Sequence, residues 1–340
     1  MINYKNMRGF SLVELMIGLA LGLIVLASVS AVFISTSNTR NEMERAGKQI
    51  ENGRYAMQLL TEDIRQAGYY GEYDPSDLPT PTAMPDPCTI DTGAMKDAVP
   101  IHVHGYDLGA SAPSCISDVK PNTDIIVLRR ASGCVAGATG CEAQDSDYFY
   151  YQTTLCNDQL GEFPSSINHF VISDDNASFT LTKRNCTTPA DLRKYITRIY
   201  FIANNNSDGD GIPTLKRAEL TTAGMKIVPL VEGIENLQFS YGLDTAGTDG
   251  IPDVYTAAPE TYDACSGTAC VDNWRNTMAV SISLLSKSTE ATSGYKDTNT
   301  YIVGSDAAGA VQSLGPFNDQ YKRHVYDSVV RINNPAGRRE

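Results

Sequence analysis

The sequence predicts an α+β fold: one long N-terminal helix, transmembrane in its first half, packed on a mainly antiparallel, β-rich head. Three observations predict it. Leu15 to Ile34 holds no charged residue over twenty positions, about 30 Å of helix, which matches the hydrocarbon core of a bilayer. From Met43 to Ala67, apolar residues return at steps of three and four, the period of one helical face. Beyond Thr123, short runs of β-branched and aromatic residues are separated by turn residues.

The apolar segment comes first in the chain. Lys5 and Arg8 precede it, and no acidic residue occurs among the first nine, so the positive-inside rule keeps the N-terminus cytoplasmic and sends everything after Ile34 outward. The eight dispersed cysteines suit the same orientation, because an even set of this kind belongs to an oxidising compartment. Glu14 is the anomaly: a carboxylate inside the run Phe10 to Ile34 costs roughly 2.5–3.5 kcal/mol even on lenient insertion scales. An ordinary signal peptide cut near Val29-Ser30-Ala31, or a plain signal anchor, accounts for the apolar run. Neither accounts for a glutamate placed five residues after a Gly-Phe junction.

The string Lys5-Asn6-Met7-Arg8-Gly9-Phe10-Ser11-Leu12-Val13-Glu14-Leu15 resembles the class III signal of type IV pilins and type II secretion pseudopilins. The resemblance implies that a prepilin peptidase cuts between Gly9 and Phe10 and N-methylates Phe10, so that Glu14 becomes the fifth mature residue. The chemistry suits the spacing, since the new amine of Phe10 is a cation that can neutralise Glu14 of a neighbouring subunit in lipid, leaving neither charge alone. Gly9 and Phe10 are thus the expected processing residues, and Phe10 and Glu14 the expected assembly residues.

The amphipathic continuation places Met43, Ala46, Ile50, Gly53, Met57, Leu60, Ile64 and Ala67 on one stripe, with charged residues of both signs off it, Asp63 among them. Gly68 supplies a stop. A helix from Phe10 to Ala67 is about 87 Å long, far beyond a usual globular helix, and the stripe reads as the seam against the head rather than as a free coiled coil. Gly18, Gly22, Gly47 and Gly53 weaken it locally by up to about 1 kcal/mol each. No proline interrupts it, unlike many major pilins.

Residues 70–123 hold eight of the sixteen prolines and read as an irregular excursion with one short strand at Ile101–Tyr106. Strands are predicted at Asp124–Arg130, Asp147–Leu155, Ile167–Ile172, Phe179–Lys183, Tyr195–Ala203, Lys226–Val231, Leu237–Leu243, Met278–Ser286, Tyr301–Gly304 and Val325–Ile332. The organisation is a leader at 1–9, a membrane or filament-core half of the helix at 10–35, an amphipathic half at 36–69 and a head at 70–340. Three further segments resemble the PilW group of minor pilins. They are Gly53-Arg54-Tyr55-Ala56-Met57-Gln58-Leu59-Leu60 with Asp63-Ile64-Arg65-Gln66-Ala67-Gly68-Tyr69-Tyr70-Gly71, then Gly211-Ile212-Pro213-Thr214-Leu215-Lys216-Arg217, then Gly233 to Gly242. The closing run through Val330-Arg331-Ile332-Asn333 fits the same group.

Candidate chemistry is sparse. Asp208 and Asp210 in Asn204 to Pro213, and Asp244, Asp249 and Asp253 in a second D-G-I-P neighbourhood, are candidate calcium ligands. Arg217 stands where an EF-hand needs its bidentate glutamate, so that motif is excluded and Asx-Gly turns explain both segments as well. No cofactor is required. Among Cys88, Cys115, Cys134, Cys141, Cys156, Cys186, Cys265 and Cys270, disulfides are expected, with proximity favouring Cys134–Cys141 and Cys265–Cys270 and leaving the other four open. His102 and His104 read as ordinary surface histidines, and the tyrosines, including Tyr148, Tyr150 and Tyr151, mostly as core. No phosphate loop, G-x-S-x-G or H-E-x-x-H occurs, so the chain is not expected to be an enzyme.

Composition narrows the partners. Apolar content of 42% and charged content of 20% exclude wholesale disorder and a polytopic membrane protein. The net charge is −13; the leader carries +2, residues 10–39 carry −1 and 40–69 balance, which leaves −14 on the head. An acidic head argues against direct nucleic-acid binding. The resemblance implies a minor pilin that joins other minor pilins and the major pilin at an inner-membrane assembly platform and ends at the pilus tip. It further implies roles in piliation, twitching motility and adhesion, and in DNA uptake by the assembled pilus. The GspJ kind of type II secretion pseudopilin is the alternative, and a tip adhesin or an anchored periplasmic enzyme are alternatives from other classes.

Overall fold

The computed structural model describes residues 9, 11–107, 112–156, 169–246, 249–306 and 309–339. The leader residues 1–8 and Phe10 lie outside the described residues. The chain divides into two units, 1–48 and 49–340.

A single helix, α1 (Leu12–Gln66), carries 55 residues, about 82 Å. In the first unit its side chains from Leu12 to Arg40 are exposed throughout, and the stretch is long and apolar enough to cross a membrane. Glu42 and Arg45, 3.2 Å apart, and Glu44 and Lys48, 3.6 Å apart, form intrahelical pairs.

In the second unit α1 buries Gln49, Gly53, Ala56, Leu60, Asp63 and Ile64, and Ala67 just past its end is buried too. The seam is rotated from the expected stripe: Met43 is 71% exposed and Ile50 48%, while the polar Gln49 and the charged Asp63 lie inside. Burial follows the contact geometry, and polar side chains tolerate it because each finds partners there. Gly68 ends the helix at φ +73°, a conformation that favours glycine, and its N–H donates to the Arg129 carbonyl at 2.9 Å.

The excursion after α1 is more ordered than its prolines suggest. It contains a 3₁₀ turn (Pro75–Asp77), a short helix α2 (Thr92–Asp97) and strand β1 (Val103–Tyr106), with Cys88 bonded to Cys115 across it. Asp91 starts α2 by accepting from the Gly93 and Ala94 N–H groups.

A seven-stranded sheet follows: β1, β2 (Ile125–Ala131), β3 (Tyr150–Thr153), β4 (Phe170–Ser173), β5 (Leu192–Ala203), β6 (Thr214–Thr221) and β7 (Gly224–Glu232). The twelve-residue β5 is its hub, pairing antiparallel with β2, β3 and β6. A second sheet has the order β13-β10-β8-β9, from β8 (Ile234–Leu243), β9 (Val254–Thr256), β10 (Thr277–Lys287) and β13 (Arg323–Arg331). Helix α3 (Thr268–Arg275) leads into β10, a hairpin of β11 (Tyr301–Ser305) and β12 (Val311–Leu314) intervenes before β13, and α4 (Asn333–Gly337) closes the chain. Arg323 fastens this region, its Nη1 lying 2.9 Å from Asp297 and its Nη2 2.7 Å from Asp319, while Nε bonds Glu235 at 2.5 Å.

Three expectations change. Phe179–Lys183 forms no strand and keeps only an isolated bridge, Thr182 to Pro189, because a proline opposite it removes a ladder donor. Strand β6 was not expected, since Lys216, Arg217 and Glu219 mask its apolar alternation. In the sheet Glu219 sits opposite Arg198 and bonds its Nε at 2.7 Å. The three-residue β9 is below the length at which periodicity registers, and the four-residue β12 was not expected.

The core joins Ala56, Leu60, Ile64 and Ala67 of α1 to residues of both sheets, among them Leu128, Tyr200, Leu237, Phe239, Ile282 and Val330. Within it lie the histidines expected at the surface: His102 is 3% exposed and His104 2%. The correction has a physical reason, because each ring finds a partner. His102 Nε2 donates to the Thr277 carbonyl at 2.7 Å, and His104 Nδ1 accepts from Arg129 at 2.9 Å. Burial pushes the His102 ring down to about 4, and burial together with Arg129 holds His104 well below the ordinary range.

Both rings are neutral when folded and titrate near 6.5 when unfolded, so their stabilisation is complete above pH 6.5 and declines as pH falls toward 4. We expect the melting temperature of the full chain in detergent, followed by circular dichroism, to fall between pH 6.5 and 4. A constant value across that window contradicts the buried neutral rings.

Candidate functional site: the helix start and its anchorage

The helix start is built by its own sequence. Ser11 Oγ accepts from the Val13 N–H at 3.4 Å, and Glu14 Oε2 accepts from the Ser11 N–H at 3.1 Å. The glutamate half of an S-x-x-E cap is thus in place, with the serine capping the second helical N–H instead of the third; together they satisfy donors otherwise left open and turn the Glu14 carboxylate back toward the N-terminal end. Gly9 is exposed, and a Cβ on it would meet nothing within 4 Å among the described residues. The structure thus places Gly9 and Glu14; the Phe10 assignment falls outside the described residues.

At the other end, α1 is fixed to the head by a buried carboxylate. Asp63, 5% exposed, lies 2.9 Å from Arg130 Nη2 of β2 and 3.1 Å from Arg198 Nη1 of β5, and accepts from the Tyr200 hydroxyl at 2.8 Å. Burial alone would raise its pKa, but the Arg198 and Arg130 guanidinium groups hold the carboxyl below the usual range. Sequence reasoning placed Asp63 on the outer face. The signal lay in the spacing Ala56, Leu60, Asp63, Ala67, whose steps of four, three and four put it on the buried face.

Further contacts set the rotation and slide of α1. Gln49 Nε2 donates to the carbonyls of Ser286 at 3.2 Å and Lys322 at 3.0 Å, and Asn52 Nδ2 to that of Glu232 at 3.1 Å. The Tyr326 ring of β13 lies on Gly53 so closely that a Cβ there would overlap it, and the Tyr326 hydroxyl donates to the Ile50 carbonyl at 3.3 Å. At the C-terminus, Asn334 Nδ2 donates to the Gln66 and Ala67 carbonyls at 3.3 and 3.2 Å, and Arg338 to that of Gly68 at 3.2 Å. Open helix carbonyls are thereby satisfied from the end of the chain.

All eight cysteines are paired. Cys134–Cys141 and Cys265–Cys270 close local loops as proximity suggested, and the remaining four resolve as Cys88–Cys115 and Cys156–Cys186. The aspartates do the work of turns. Asp210 accepts from the N–H groups of Asn206, Ser207 and Ile212, and backbone donation holds its carboxyl below the ordinary range. Asp253 accepts from Thr245 and Ala246, Asp249 from Ile251, and the fully buried Asp244 from Gly250 and Arg339. Asp208 is exposed. Among the described residues, no group of three or more His, Cys, Asp or Glu side chains converges as metal ligands do.

With this geometry in hand, two family models match. Residues 4–30 match the prokaryotic N-terminal methylation motif, and residues 199–334 match the type IV pilus-assembly protein W family. The second match runs from β5 to α4 and so includes Tyr200, Tyr326 and Asn334, which hold α1. No curated protein and no solved structure matches the chain. The α+β architecture with a long apolar N-terminal helix is pilin-like, and the two matches support a minor pilin related to the type IV pilus.

Two variants measure the anchorage. Asp63→Ala leaves Arg130 and Arg198 buried without their carboxylate and is expected to cost about 3–5 kcal/mol, read from denaturant unfolding. Gly53→Ala is expected to cost about 1–3 kcal/mol by displacing the Tyr326 ring, and most of that cost should vanish in a Tyr326→Ala background.

Proposed function

We propose that this chain is a minor pilin that primes assembly of a type IV pilus and resides at or near its tip. The carrying observation is the joint match to the methylation motif at the helix start and to the pilus-assembly family over residues 199–334. In this reading α1 lies in the inner membrane before assembly, with the head in the periplasm. Prepilin peptidase then removes residues 1–9 and methylates Phe10. The exposed apolar face from Leu12 to Ile34 docks among the helices of other minor pilins and the major pilin at the assembly platform.

The S-x-x-E cap gives Glu14 a defined direction, toward the end of the helix where cleavage creates an amine. Pairing that carboxylate with the Phe10 amine of a neighbour sets the register between subunits, because a mismatched slide leaves both charges unpaired in hydrocarbon. The head is a structural and display module rather than a catalytic one, and its disulfides suit an oxidising compartment. Piliation, twitching motility, adhesion and DNA uptake by the pilus follow from assembly. The match to a pilus-assembly family favours this reading over a secretion pseudopilin.

Deleting the gene should abolish or sharply reduce surface pili while leaving exoprotein secretion intact; the opposite pattern would transfer the protein to a secretion system. Complementation with Glu14→Ala should restore the membrane-inserted subunit but not piliation, and normal pili would refute the register mechanism. Mass spectrometry of the mature chain should find methylated Phe10 as its first residue.

A further inference from the structure

The segment that leaves α1 borders an open cavity of about 270 Å³ in the head. Its walls are Tyr69 and Glu72 just past the helix, Tyr151 of β3, Lys183 and Asp191 ahead of β5, and Arg193 within it. Leu155 and Ala190 add apolar surface. The volume is just below the about 300–1,000 Å³ typical of small-molecule sites.

The charges around the cavity cancel, with Lys183 and Arg193 against Glu72 and Asp191. Three of them are already engaged: Asp191 lies 2.7 Å from Lys183 Nζ and 3.3 Å from Arg193 Nη2. The Lys183 hydrogen bond holds the Asp191 carboxyl below the ordinary range, so the pair stays ionised while the ammonium keeps further N–H groups and the carboxylate further lone pairs. Arg193 also donates to the Ser132 and Gly133 carbonyls and covers the Tyr69 ring at 5.7 Å. Glu72 makes no hydrogen bond or ion pair within the described residues, which leaves an open acceptor at the rim.

A charged ligand therefore gains no net attraction here. A neutral ligand bearing both donors and acceptors on an apolar frame fits every wall: hydroxyl groups meet the carboxylates and the lysine, and C–H faces meet Tyr69, Leu155 and Ala190. We propose that this cavity is a binding site for one neutral sugar residue of a glycan. The site lies at the C-terminal end of α1, and it stands independently of the assembly reading.

The test uses the full chain in detergent on an array of neutral oligosaccharides of glucose, galactose and N-acetylhexosamines, printed beside sialylated and uronic-acid members. Neutral members should bind, and Glu72→Ala and Lys183→Ala should each weaken binding at least tenfold. Both side chains are at the surface, so unchanged melting temperatures will show that the variants are folded. Absence of binding to neutral members, binding confined to acidic ones, or affinity unchanged in both variants overturns the site. Piliation by the same variants is scored separately and should stay normal, so a failed sugar site leaves the assembly reading standing.

Discussion

The structure of the head depends on one buried carboxylate. Asp63 is the point at which α1 meets β2 and β5, through Arg130, Arg198 and Tyr200. A carboxylate out of water is tolerated only when opposite charge and hydrogen bonds replace its hydration, and here two guanidinium groups and a phenol do so. The arrangement reaches further, because Arg198 also bonds Glu219 of β6, which in turn meets Lys194 at 2.6 Å. One helix position is thereby coupled to three strands. Apolar packing of Leu60 and Ile64 supplies the attraction, whereas the ionic network specifies which rotation of the helix is allowed.

The same helix serves two physical roles along its length. Its first part carries a continuous, exposed apolar surface long enough to cross a membrane, which is the state of a segment that meets lipid or other helices. Its last part is held by polar contacts at successive turns, from Gln49 through Gly53 to Asn334 at the C-terminal carbonyls. A subunit that transmits force or register along a filament needs such an attachment, because a helix free to rotate on its head would not fix where the head points. The closing strand and helix are part of the attachment, so the two ends of the second unit close on each other.

Burial of polar groups recurs in the core, and the buried arginine of β2 shows how partners replace water. Arg129 is 1% exposed and donates to the Ile101 carbonyl at 3.2 Å, to His104 and to the Pro85 carbonyl at 3.1 Å. Through these bonds the proline-rich excursion is tied to β2, and Cys88–Cys115 holds its far part. The excursion thus gains order from these bonds and the cross-link together with burial of Tyr70, Tyr73, Leu78, Met95 and Val99.

Sequence by itself determined the helix and its boundary, the membrane-length apolar run, the N-terminal methylation motif and most strands. These depend on local composition and periodicity, which need no partner to be read. Glu14 was legible because a charge in an apolar run is conspicuous at any distance. Asp63 was not, since a charge among charges looks solvated until Arg130 and Arg198, 67 and 135 residues away, are brought beside it. For the same reason His102 and His104 looked superficial, β6 looked polar, and the Cys88–Cys115 and Cys156–Cys186 pairs stayed open. Tertiary structure alone decided these, because whether a polar group is buried depends on the distant partner that replaces its water.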